Sequence, residues 1–230
     1  MKLLNWFTIA FSLMAFVFYG CFESEDAEEG MPYDNVNATT GFESMEAGSW
    51  QELISPDGGA LITSFIGTET YNGMECYVME YEYFGYPKDR HYWMQYWIDK
   101  ASYVNMATPS NVVVLFLKED GEVTKHTGNI RYCTIPEGSV QVGKSSYITP
   151  VEQIKLVKRT IDCVVYKKTD QSGEIETWVC AKIPFHVVKT LLNGSVQGEL
   201  QNHAFYGAAR GISKEEAKNA KQANQEGDQE

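Results

Sequence analysis

The residue types best suited to chemistry in this 230-residue chain are its five cysteines and four histidines. No histidine has a neighbouring His or Cys at metal-ligand spacing, and no two cysteines have the close spacing of a zinc site. Ser145 and Ser146 lack the flanking glycines of a nucleophile elbow, and the chain has no glycine-rich phosphate loop. We therefore expect no metal, no cofactor and no enzymatic activity; a hydrolase whose residues converge only in three dimensions is an alternative. The histidines, which we interpret as strand or surface residues, are His91, His126, His186 and His203.

The cysteines offer one candidate disulfide. Setting Cys21 aside leaves an even number of cysteines, as is common in exported proteins. Cys163 and Cys180 fall opposite each other across a predicted hairpin if its turn holds two or three residues, so a disulfide between them is geometrically available. The alternative is a pair of buried thiols, with Cys76 and Cys133 unassigned.

Two asparagines are candidate modification sites. Asn37 and Asn193 each begin an Asn-X-Ser/Thr sequon in a segment that we expect to be exposed. In an archaeon either could carry a glycan, whereas in a bacterium the motif usually has no meaning.

The N-terminus predicts export. Met1-Lys2 supplies a positive start, Leu3 to Tyr19 is free of charge and largely apolar, and the small residue Gly20 precedes Cys21. This order is typical of a secretory signal in residues 1–20. A cysteine directly after the small residue resembles the lipobox of prokaryotic lipoproteins, which makes Cys21 the expected lipid-attachment site. An uncleaved transmembrane anchor and free secretion are the alternatives. Either tether would hold the domain at the outer face of the cytoplasmic membrane or in the cell envelope.

Charge and composition divide the rest of the chain. The formal net charge of −12 argues against a nucleic-acid partner, because phosphates require clustered Lys and Arg. We expect an acidic flexible linker over 21–47, a β domain over 48–210, and a polar tail over 211–230. A helix in that tail would lack an apolar stripe, so we expect it to be frayed or disordered.

The close spacing of turn-forming residues in the central domain predicts an all-β fold. Short runs rich in Tyr, Trp, Val and Ile alternate with turn signals such as Asn72-Gly73, Asp120-Gly121 and Asn193-Gly194. Asn-Gly and Asp-Gly tolerate the positive φ that tight hairpin turns require. Two hairpins each have an acidic residue and a Cys near the start and a Trp in the second strand, which favours an internal duplication into two similar halves. The alternative is that any two aromatic hairpins resemble each other in this way.

One strand carries a stripe of candidate ligand-contacting residues. Alternation over Glu75–Tyr83 places Tyr and Met side chains on one face and Glu80 and Glu82 on the other, where we expect these carboxylates to face solvent. The returning strand, His91–Ile98, is apolar on both faces, so either Trp93 with Trp97 or Tyr92 with Tyr96 would join the stripe. We expect the ligand to be lined by Tyr77, Met79, Tyr81, Tyr83, Trp93 and Trp97.

The segments Gly67–Val78 and Tyr96–Lys100, with Asp162–Tyr166 and Ile183–Lys189 in the second half, resemble prokaryotic and especially archaeal extracytoplasmic lipoproteins. Such proteins are similar to the LolA/LppX-like group. The resemblance implies a curved antiparallel sheet, an unclosed barrel around an apolar hollow, with a minor helical element. It also implies a role in carrying lipids or lipidated proteins.

These inferences give two leading functions. The first is a tethered, non-enzymatic lipoprotein whose β domain binds an apolar ligand such as a lipid or acyl chain. The second is a surface structural or protein-interaction module with a filled core and no ligand. The partners expected are the membrane, through the N-terminal anchor, and an apolar ligand; no protein partner is identified.

Overall fold

The structure, a computed structural model, describes residues 45–85, 90–103, 111–127, 147–155, 160–170, 173–180 and 182–223. The predicted signal segment 1–20, Cys21, Asn37, Cys133, Ser145 and Ser146 lie outside these residues, as does almost all of the predicted linker. The strands and the one helix of the described residues are β1 (Ser49–Ile54), β2 (Ala60–Tyr71), β3 (Met74–Gly85), β4 (Arg90–Asp99), β5 (Val112–Glu119), β6 (Glu122–His126), β7 (Tyr147–Lys155), β8 (Thr160–Asp170), β9 (Gly173–Val179), β10 (Val187–Leu192), β11 (Ser195–Ala204), α1 (Lys214–Asn219) and β12 (Lys221–Gln222).

All strands belong to one 12-stranded sheet, in the order β12-β6-β5-β4-β3-β2-β1-β11-β10-β9-β8-β7. Each neighbouring pair is antiparallel except β12 and β6, which run parallel. Strand β1 joins the two halves, because it pairs with β2 on one side and with β11 on the other. The sheet is curved and does not close into a barrel. The predicted all-β, unclosed architecture is confirmed.

Three of the antiparallel strand pairs are joined by tight hairpin turns. Asn72–Gly73, Asp120–Gly121 and Asn193–Gly194 have positive φ at both residues, between 50° and 83°. Consecutive positive φ values define the type I′ turn, whose twist matches that of the flanking strands. The turns that the sequence predicted at these dipeptides are confirmed.

The two faces of the sheet are built differently. One face, which we call the tyrosine face, carries Tyr77, Met79 and Tyr81 of β3 together with the residues opposite them on the neighbouring strands. The other, which we call the strap face, carries Cys76, Val78 and Glu80, and it is covered by the C-terminal segment. The buried cluster of the tyrosine face comprises Leu61, Phe65, Tyr77, Met79, Tyr81, Met94, Tyr96, Ile98, Val112, Leu115 and Phe185.

The loop between β9 and β10 contributes to the tyrosine face. Its Phe185 packs in the cluster formed by β2 to β5, although β10 lies three strands away from β2 in the sheet.

The C-terminal segment is ordered through residue 223, so the predicted frayed tail is wrong for residues 211–223. Helix α1 has a complete capping box between Ser213 and Glu216, and its Ala217 is buried. Ile212, just before the helix, is fully buried among Cys76, Val78 and their neighbours. The absence of an apolar stripe did not predict this docking correctly. Two apolar residues, Ile212 and Ala217, are enough to pack the segment on the sheet because its backbone N–H groups also bind Glu80. Among the described residues, no helix is long and apolar enough to cross a membrane.

Candidate functional site

The predicted stripe on β3 forms the centre of the tyrosine face. Tyr77, Met79 and Tyr81 are 3%, 0% and 1% exposed. The Tyr81 ring meets the Tyr96 ring edge-on at 5.6 Å, and the Tyr81 hydroxyl donates to the Met79 sulfur at 3.7 Å. Thioether sulfur is a weak acceptor and an adaptable contact, so this surface is broad, apolar and uncharged.

Trp93 and Trp97 do not share this face with the β3 stripe, so the choice of the two tryptophans over Tyr92 and Tyr96 as members of the stripe is wrong. Strand β4 pairs Trp97 with Val78 and Trp93 with Glu82, so both tryptophans lie on the strap face. Tyr92 and Tyr96 take their place, opposite Tyr83 and Met79. Residues directly opposite in a sheet share a face, and β4 is apolar on both, so its own pattern could not decide between them.

Tyr83 marks the end of the stripe, where the face opens to solvent. Its ring lies 5.0 Å from that of Tyr92, and both side chains are only partly buried. Burial, with nearby Asp57, raises the pKa of Tyr83, and stronger burial, with Tyr83 beside it, raises the pKa of Tyr92 further. Both phenols are therefore neutral at physiological pH.

Two polar residues on the same face were missed by the sequence. Gln51 of β1 lies opposite Thr63 of β2 on one side and opposite His203 of β11 on the other, and Thr63 lies opposite Tyr81. The Gln51 and Thr63 side chains are 0% exposed. The amide atoms of Gln51 and the hydroxyl of Thr63 have no hydrogen-bond partner among the described residues. No signal in the sequence identified them, because β1 (Ser49–Ile54) carries both apolar and polar residues on each of its faces, and its pattern therefore does not show which face is buried.

On the strap face, Glu80 is a buried carboxylate rather than a solvent-facing one, so the expectation for it is wrong. It is 2% exposed and accepts hydrogen bonds from the backbone N–H groups of Gly211 at 2.6 Å and Ile212 at 3.1 Å, and from Gln95 Nε2 at 2.7 Å. Burial raises the pKa of Glu80, although these hydrogen bonds oppose the rise. Glu82 instead pairs with His91 at 2.7 Å near the end of the hairpin.

Ion pairs hold the rest of the C-terminal segment. Arg210 contacts Glu69 at 2.6 Å, and Lys118 contacts the Gly211 carbonyl at 2.9 Å and Glu216 at 2.7 Å. The Lys118 ammonium, together with the Ser213 backbone and hydroxyl, lowers the pKa of Glu216 to about 2. The titratable groups gathered on this face therefore serve to dock the segment.

The three cysteines among the described residues, Cys76, Cys163 and Cys180, are buried thiols. The register Val164 opposite Val179 places Cys163 opposite Cys180, as the hairpin predicted, yet the two are not joined by a disulfide. The thiol of Cys163 instead donates to the Ile161 carbonyl at 3.7 Å. Burial, with nearby Asp99, raises the pKa of Cys76 to about 11, so that thiol is protonated and unreactive.

The remaining candidates do not converge. His91 lies on β4, His126 on β6, His203 on β11 and His186 in the loop between β9 and β10. Within the described ranges no three His, Cys, Asp or Glu side chains are arranged to hold a metal ion. Asn193 lies in the turn between β10 and β11, where its Oδ1 accepts the Glu174 N–H at 2.9 Å.

Comparison with known proteins adds little. No protein-family model matches the chain, and no curated protein matches it. Among solved structures, the chain is similar to a protein described as PNGF-II, with 16% sequence identity and a TM-score of 0.35. The similarity covers 78% of this chain and 31% of that one. A TM-score this low does not establish a shared fold, and the resemblance to the LolA/LppX-like group stays a prediction.

Proposed function

We propose that this is an exported, membrane-tethered, non-enzymatic protein whose tyrosine face binds an apolar ligand such as a lipid or acyl chain. The observation that carries the proposal is a continuous apolar cluster on one face of a curved, unclosed sheet. It extends over β2 to β5 and combines aromatic rings with the flexible side chains of Met79 and Met94. Such a surface suits a chain that has no fixed shape.

The tether in this proposal is the N-terminal segment, with a lipid on Cys21 or an uncleaved apolar anchor. Export would place the domain beside the membrane from which a lipid ligand comes. The absence of enzymatic activity is proposed because the titratable groups brought together have structural tasks. Glu80 binds backbone amides, and Glu82 binds His91.

One observation favours the second candidate, a structural or protein-interaction module. The central residues of the tyrosine face are at most 3% exposed, which suits a filled core. Aromatic side chains available to a protein partner lie elsewhere. Phe205 and Tyr206, just after β11, are 44% and 77% exposed.

Lipid occupancy of the exported full chain separates the two candidates. The chain is purified from the membranes of the producing cell, and bound lipid is measured by native mass spectrometry and by solvent extraction. Tyr96→Leu and Trp97→Leu form a matched pair, because the residues are adjacent on β4, both buried, and on opposite faces. We expect Tyr96→Leu to reduce the bound lipid and Trp97→Leu to leave it unchanged.

The outcomes against the proposal are equally definite. A wild-type chain without co-purifying lipid would refute the carrier and favour the interaction module. Equal loss of lipid in both variants would show that occupancy follows stability rather than the tyrosine face.

A further inference from the structure

Among the described cysteines, the fold brings Cys163 and Cys180 together on adjacent strands. Strand β8 pairs with β9 in the register that sets Val164 opposite Val179, so Cys163 lies opposite Cys180 at the end of this ladder. Both cysteines belong to one buried cluster, in which Cys163 is 0% exposed and Cys180 is 7% exposed. Because residues directly opposite share a face, the two thiols lie on the same side of the sheet.

The backbone of Cys180 shows which kind of cross-strand pair the two cysteines form. Its N–H donates to the His186 carbonyl at 2.8 Å, and its carbonyl oxygen lies 3.3 Å from His186 Nδ1. Both backbone polar groups of Cys180 therefore point toward the loop before β10 and away from β8. Opposite residues that exchange no backbone hydrogen bonds have Cα atoms about 4.5 Å apart and the closer side chains. A disulfide requires Cα atoms about 4.4–6.8 Å apart, so this pair can be joined without moving either strand.

Cys76 does not share this arrangement. It is equally buried, but it lies opposite Glu69 on β2 and opposite Asp99 on β4. Neither neighbouring strand places a cysteine across from it, so Cys76 is a natural control for a buried thiol.

The position of the cysteine pair in the sheet gives a covalent link a structural task. Residues 210–223 contact β2 to β6 and hold that half of the sheet together. Strands β7 to β10 receive none of these contacts. A bond between β8 and β9 would strengthen the other half, close to the edge that β7 forms.

We propose that Cys163 and Cys180 form a reversible disulfide that covalently joins β8 to β9 when the chain is oxidised. The structure holds the reduced form, with two thiols. This inference is independent of the proposed ligand, and only the oxidising compartment in which the bond would form rests on the proposed export.

The oxidant is a second disulfide, which is reduced to two thiols. The Cys180 thiolate, as the more exposed of the two, attacks one sulfur of the oxidant, whose S–S bond breaks and releases the first thiol. The Cys163 thiolate then attacks the Cys180 sulfur of the mixed disulfide and releases the second thiol. The two cysteine protons and one electron pair end on the two released thiols.

The test equilibrates the reduced full chain with mixtures of reduced and oxidised glutathione. Remaining thiols are alkylated, counted by intact mass, and located by peptide mapping. We expect oxidation to remove two alkylatable thiols and to yield one peptide pair that links Cys163 to Cys180. The midpoint of thermal unfolding should rise by about 6–12 °C on oxidation, as expected for closing a loop of about 15 residues in a chain of this size.

Two variants separate the disulfide from other effects of oxidation. Cys180→Ala should abolish the rise in the unfolding midpoint, because Cys163 then has no cysteine opposite it. Cys76→Ala is the matched control and should keep the full rise. The peptide map of the wild type tests the pairing even if a variant fails to fold.

Three results would overturn the inference. They are retention of both thiols at every glutathione ratio, a peptide map that links either cysteine to Cys133, and an unchanged rise in the unfolding midpoint in Cys180→Ala. Alkylation inside the producing cell tests the proposed export separately. If the purified chain forms the disulfide but both thiols are alkylated in the cell, the pairing stands and the proposed export is refuted.

Discussion

Replacing Glu80 by alanine should detach the C-terminal segment from the sheet. The carboxylate accepts three hydrogen bonds, from Gly211 N–H, Ile212 N–H and Gln95 Nε2. Gln95 Nε2 keeps a second partner in the Ile212 carbonyl at 2.9 Å, so the substitution orphans only the two backbone donors. Each buried donor left unpaired costs about 1–3 kcal/mol, and relief of the buried charge offsets part of the sum. We expect a net loss of about 2–4 kcal/mol.

Hydrogen exchange locates this loss, and chemical denaturation measures it. Protection of the Gly211 and Ile212 amides should fall first, because these groups lose their acceptor directly. Glu82→Ala is the control, since that carboxylate is also on the strap face of β3 but pairs with the half-exposed His91. Its effect should stay within about 1 kcal/mol. If Glu80→Ala keeps both amides protected and unfolds like the control, Glu80 does not anchor the segment.

Two further predictions concern the same contact. Because burial raises the pKa of Glu80, its protonation stabilises the fold as pH falls from neutral toward the unfolded-state value near 4.5. Glu80→Gln lacks that gain, so its stability deficit against the wild type should be larger at pH 5 than at pH 7 in urea titrations; a deficit independent of pH would contradict the raised pKa. A Cβ on Gly211 would overlap the Trp93 ring, so Gly211→Ala should lower the free energy of unfolding by about 1–3 kcal/mol, and by less when Trp93→Leu is also present. Equal losses in both backgrounds would show that this overlap is not the cause.

The sequence predicted the turns and the β3 stripe because both are local signals. Asn-Gly and Asp-Gly need no tertiary context to favour a type I′ turn. Alternation of Tyr and Met with Glu on β3 likewise identifies two faces without a partner strand. The prediction failed one strand later, at Trp93 and Trp97.

The prediction failed at β4 because the number of residues between β3 and β4 decides which face each β4 side chain occupies. Gly85 pairs with Arg90, which leaves residues 86–89 between the paired ends of β3 and β4. One residue more or fewer in this connection would move every side chain of β4 to the other face. Since β4 is apolar on both faces, only the register decides that Tyr96 joins the stripe and Trp97 does not.

The docked C-terminal segment was missed for a different reason. Its main attachment is made by backbone N–H groups of Gly211 and Ile212, and every residue except proline carries that group. The sequence gives no sign of such a contact at either end. Glu80 offered only the hint of a carboxylate in a strand that is otherwise apolar or aromatic, and alternation made solvent exposure the simpler interpretation.

The two faces of the sheet differ in how their buried polar atoms are paired. On the strap face the chain supplies partners for its buried polar atoms, through Gln95, Arg210 and the docked segment. On the tyrosine face, at similar burial, it leaves Gln51 and Thr63 without partners among the described residues. The two faces are therefore similar in burial but differ in how far their buried polar side chains are paired within the described residues, which no apolar-versus-polar pattern in the sequence distinguishes.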